Sequence, residues 1–130
     1  MTLRAVTLLL AAAAGACAPA AAGGGRVVPD RNVVGAAELA ATGAADLYTA
    51  LRQVRPEFLQ PRGISSIHSN TPDFPAVYLD GVELSGIADL KTITTTDVRE
   101  VRRLSAPEAM ARTGTNNPGG ALLVVTKKSG

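Results

Sequence analysis

The chain has no tryptophan, one cysteine, one histidine, and only two tyrosines and two phenylalanines among 130 residues. The lone cysteine, Cys17, excludes an internal disulfide. The lone histidine, His68, lies in a Pro- and Asn-rich loop, with no cysteine nucleophile and no serine elbow motif, and reads as a loop residue, as do Ser65 and Ser66. Gly23, Gly24 and Gly25 lack the lysine and the serine or threonine that a phosphate-binding loop requires. So few aromatic rings leave little to stack single-stranded nucleic acid against, and the core must be aliphatic. Neither sign of charge dominates: 13 Lys and Arg stand against 11 Asp and Glu. No clustered basic face is visible, so nucleic acid is not an expected partner. The most apolar stretch, residues 6–14 with only Thr7 polar, falls short of the roughly 20 residues needed to cross a membrane as a helix.

What is present begins at the amino terminus. Arg4 supplies a positive charge, residues 6–14 a stretch that is apolar apart from Thr7, and Ala14, Gly15 and Ala16 three small residues directly before Cys17. This is the layout of a secretory signal peptide, and residues 1–16 are expected to be removed. With Arg4 gone, 12 basic residues face 11 acidic ones. The small residues ending in cysteine resemble the lipobox of bacterial lipoproteins, although that family usually carries leucine where this chain has Ala14. The resemblance implies that Cys17 is acylated and begins the mature chain. Ala18 stands where lipoproteins retained at the inner membrane commonly have aspartate, so it points to the outer membrane. Residues 17–31, dominated by Ala, Gly and Pro, read as a flexible lipidated tether, with Val27 and Val28 as an optional strand start.

Residues 32–130 read as one small domain with a single core. Leu47, Ala50, Leu51 and Val54 recur at helical spacing, predicting a helix over residues 43–55 with Thr42 as its cap, Asp46 in its first turn and Pro56 as its stop. Asp80-Gly81 between β-prone runs predicts a hairpin within residues 75–84, and this turn role accounts for Asp80 without a metal. A helical turn is expected around residues 87–90; the threonine-rich stretch after it fits either a strand or a capped turn. Residues 98–104 read as a strand anchored by Val98, Val101 and Leu104, with Arg99, Arg102 and Arg103 on a solvated face. Ser105 and Glu108 form a capping-box pattern that opens a helix over residues 106–112, closed by Gly114. After a loop at residues 115–120, the run 121–126 is continuously apolar, as an internal strand should be.

The ordered set of Glu38-Leu39, then Leu47, Leu51 and Pro56, then Val77 to Gly81, Asp97 to Leu104, Ala109 to Gly114, and Gly120 to Lys127 resembles the plug domain of TonB-dependent outer-membrane receptors. Two departures stand out. Thr113 occupies a position where that family commonly has tyrosine, and residues 32–130 leave no room for the barrel that follows a plug, since bacterial barrels start at eight strands of about 9–11 residues.

The expected fold is therefore α+β, a small plug-like domain with a mixed sheet and two or three short helices. The expected function is non-enzymatic: binding or accessory work beside outer-membrane uptake systems, with a barrel protein or uptake complex as partner and no cofactor or metal. The alternatives are a purely structural envelope lipoprotein or a small periplasmic enzyme. The long aperiodic loops, residues 57–73 and 115–120, are the expected binding surface, with Asn70, Asn116 and Asn117 as uncharged hydrogen-bonding candidates.

Overall fold

Four strands that the sequence marks, and one that it does not, pair into a single mixed sheet. The computed structural model describes residues 30–62 and 72–128. In chain order these form β1 (Val33–Gly35), α1 (Ala36–Ala41), α2 (Leu47–Val54), a 3₁₀ turn (Pro56–Leu59), β2 (Ala76–Leu79), β3 (Val82–Glu83), 3₁₀ turns at Ile87–Thr92 and Thr95–Asp97, β4 (Val98–Leu104), α3 (Ala106–Thr113) and β5 (Ala121–Thr126). The sheet order is β1-β4-β5-β2-β3. β2 and β5 run parallel and the other pairs are antiparallel. The fold is α+β, and the continuously apolar β5 is the central strand, as its composition predicts.

The hairpin forms where expected. Asp80 and Gly81 take φ of 48° and 89°, the two left-handed positions that a tight two-residue turn demands. The Asp80 carboxylate then fastens the turn to β5, accepting from the Thr126 amide at 2.9 Å and from its hydroxyl at 2.7 Å.

Alternation along the strands divides the core between two faces. On the first face Val34, Val77, Val101, Leu122 and Val124 meet Leu39 of α1, Leu47, Ala50 and Leu51 of α2, Phe58 and Leu90. On the second, Tyr78, Leu104 and Ala121 meet Ala109 of α3. The three-residue spacing of Val98, Val101 and Leu104 has a structural cause. The register of β4 on β5 shifts between Val98 and Glu100, and the extra residue of that bulge puts Val98 on the same face as Val101. Past the bulge alternation is regular, so Leu104 turns to the second face.

Two expectations are corrected. The helix predicted over residues 43–55 begins only at Leu47, and its cap is Asp46, whose Oδ1 accepts from the Thr49 amide at 2.8 Å. Thr42 instead ends α1, its hydroxyl donating to the Leu39 carbonyl at 2.6 Å. Arg103, expected on a solvated face, is only 4% exposed. Lying two residues beyond Val101, it shares the face of that residue, and its guanidinium donates to the Glu57 and Gln60 carbonyls beneath Phe58. Arg99 is exposed as expected, and Arg102 is half-buried. The expected signal peptide, Cys17, Val27, Val28, Ser65, Ser66, His68 and Asn70 lie outside the described residues.

Candidate functional site

The end of the 57–73 loop that leads into β2 meets the 115–120 loop at one end of the sheet, because β2 and β5 are parallel. Their register pairs Ala76 with Ala121, so the segments leading into both strands lie side by side. The Ala76 amide donates to the Gly120 carbonyl at 3.0 Å. A Cβ on Gly119 would sit 2.5 Å from the Phe74 carbonyl oxygen and 2.6 Å from that of Asp73, so only glycine lets the backbones approach this closely. Leu104 pairs with Ala121, which brings the start of α3 to the same end.

The residues gathered there differ in what they leave available. Asn116 is exposed. Asn117 is half-buried and already engaged: its side-chain amide donates to the Tyr78 hydroxyl at 3.2 Å, and its carbonyl accepts from the Gly120 amide at 2.9 Å. It acts as a latch between the loop and β2. Phe74, which carried no signal in the sequence pattern, is 53% exposed beside Gly119. It also borders an apolar recess of about 460 Å³ shared with Tyr48, Leu59, Leu84 and Ile87. The Lys91 ammonium lies 5.0 Å from the Tyr48 ring centre, near enough for a cation–π contact.

A second groove, also about 460 Å³, lies on the other face of the sheet. The eight-residue α3 covers the Leu104 and Ala121 end but leaves an open groove beyond it, lined by Tyr78, Leu123 and Val125 of the sheet and by Arg112 and Thr113 at the end of α3.

No protein-family model matches this chain, and no curated protein or solved structure is found similar to it. The site is therefore read from its own chemistry. Among the described residues no three His, Cys, Asp or Glu side chains cluster as metal ligands, and no helix is long and apolar enough to cross a membrane.

The shifted titrating groups belong to the fold. Glu108 is held below the ordinary carboxylate range by the Ser105 hydroxyl at 2.7 Å and the Ser105 amide at 2.9 Å, both donating to Oε2. Asp46 is lowered by the Thr49 amide it caps. Arg103 is pushed down by burial and then by the nearby positive charge of Arg62.

Proposed function

We propose that this domain is a non-enzymatic, lipid-anchored binding module of the bacterial outer membrane, with a plug-like domain and a barrel protein or uptake complex as its partner. The plug resemblance supports the partner class, and the lipobox-like sequence at Cys17 supports the anchor. The observation that carries the binding role is the convergence at one sheet end of the segments that lead into β2 and β5, with Phe74 and Asn116 exposed there. Recognition residues concentrate on loops held by a rigid scaffold. The sheet edges offer less. β1 has three residues and β3 two, too few exposed backbone groups for a partner strand to add along them.

Two experiments test this. Cys17→Ser should release the protein from the membrane fraction or block its processing; unchanged partition and processing would remove the anchor from the proposal. A photo-crosslinking residue at Asn116 should capture an outer-membrane protein in intact envelopes, while one at Arg52, on the exposed side of α2, should not. Capture from Arg52 alone would overturn the loop surface, and capture from neither would favour a structural lipoprotein.

A further inference from the structure

We propose that the recess between α1 and the 3₁₀ turn at Thr95–Asp97 binds a short-chain aliphatic carboxylate, with its carbon chain on an alanine floor and its carboxylate between Lys127 and the Thr95 hydroxyl. Lys127 directly follows the last residue of β5, whereas the loops lead into the starts of β2 and β5. The recess therefore lies at the opposite end of the sheet, and the proposal depends on neither the partner surface nor the anchor.

The first argument is shape. Ala36 and Ala40 of α1, then Gly43, Ala44 and Ala45 in the link to α2, line the recess, and none carries a side chain larger than a methyl group. The link is nonetheless fixed by its backbone. Gly43 turns the chain at φ 66° and its amide donates to the Ala40 carbonyl at 3.1 Å. The Ala44 amide donates to the Thr42 hydroxyl at 3.1 Å, and the Thr95 amide to the Ala45 carbonyl at 3.0 Å. These bonds frame a preformed hollow of about 320 Å³, near the lower limit of small-molecule clefts, about 300 to 1,000 Å³, so the ligand must be compact.

The second argument is an unpaired polar group. Thr95 also lines the recess and is only 5% exposed, and its hydroxyl has no hydrogen-bond partner among the described residues. Buried polar groups are nearly always paired. A hydroxyl can donate to a carboxylate oxygen, and a ligand seated against the alanines brings such an oxygen within its reach.

The third argument is charge. Lys127 lines the same hollow, held beside the 3₁₀ turn by its amide, which donates to the Asp97 carbonyl at 2.8 Å. Among the described residues that line the recess none is acidic. An ammonium beside methyl groups and an unpaired hydroxyl selects an anion with an apolar body. An amine would meet the like charge of Lys127, and inorganic phosphate would leave the alanine floor unused. Free short-chain acids and the carboxyl end of a peptide share the required chemistry.

The test is a titration of the purified full chain followed by amide chemical shifts. Butanoate should move the amides of Ala40, Ala44, Thr95 and Thr96 saturably and leave those of Phe74 and Asn116 in place, while butylamine moves none and inorganic phosphate binds several-fold more weakly. Thr95→Val and Lys127→Gln should each weaken butanoate several-fold without lowering the denaturation midpoint. The first removes an unpaired buried hydroxyl at unchanged shape, and the second alters an exposed side chain. Ala40→Leu should abolish binding by filling the floor. A peptide ending in alanine that binds more tightly than butanoate, and loses this on amidation, would assign the site to a peptide end; the reverse order would assign it to a free acid. Equal shifts with butanoate and butylamine, or butanoate binding unchanged in both Thr95→Val and Lys127→Gln, overturns the proposal. So does a dimer that Ala40→Leu dissociates in protein that butanoate leaves unshifted, since the small-residue face would then belong to a second copy.

Discussion

Arg103 shows what a single side chain does in this fold. It reaches from β4 under the 3₁₀ turn at Pro56–Leu59 and brackets two of its carbonyls. A planar guanidinium does this with two nitrogens at once, which an ammonium cannot reproduce. Arg103→Ala is expected to lower stability by about 2 kcal/mol or more, since two carbonyls lose their donor and the space beneath Phe58 empties. Arg103→Lys should recover little of that loss in denaturant unfolding. A lysine variant as stable as the parent would show that the bracket is not what holds the turn. The residue was legible in part: its position two beyond Val101 puts it on the buried face by simple alternation, but three arginines in six residues read locally as a solvated surface. Asn117 went the other way, an apparent recognition residue already satisfied by Tyr78.

At the level of elements, α2 holds by the stripe that its sequence shows. Leu51 is fully buried, so Leu51→Ala should cost about 2 to 5 kcal/mol, measured as a shift in denaturation midpoint at unchanged slope. The start of α2 was not legible because it is set from outside. Asp46 bridges Thr94, the Leu47 amide donates to the Ile93 carbonyl, and the Thr95 amide to that of Ala45. Those contacts hold the alanine-rich residues before Leu47 out of the helix. Both main helices are also opened by carboxylates with lowered pKa, Asp46 and Glu108. A lowered folded-state pKa adds stability above the unfolded value, near 4 for these groups, and that contribution is lost as pH falls through the folded value. Thermal stability should thus be level from about pH 7 to pH 5 with respect to these groups and decline below about pH 4. In the double variant Asp46→Asn, Glu108→Gln that acid decline should be shallower. An unchanged acid limb would assign it to other groups.

Across the whole molecule, local patterns recovered the hairpin, β4, α3 and β5, because each is written in a short stretch of sequence. They missed β1, whose Val33, Val34 and Gly35 gain strand character only by pairing with Arg102, Val101 and Glu100 far along the chain. They also could not show that the segments leading into β2 and β5 share one end, since that follows from a parallel register and not from either segment. Gly119→Ala tests that junction: the added methyl cannot fit between the two backbones, so it should perturb amide chemical shifts at Asp73 and Phe74 while leaving those of α2 in place.

The central position of β5 would bear on the export proposed above. It is the last strand among the described residues, yet it alone joins the β1-β4 pair to the β2-β3 pair. Without it the sheet falls into two isolated two-stranded ribbons, each marginal in water. A chain threaded amino terminus first through a translocation channel therefore has no stable sheet to close until residue 126 has followed. Fragments ending at residue 120 should be unfolded by circular dichroism. Under the proposed export, delayed closure of this kind would keep the chain pliable for as long as it must remain so.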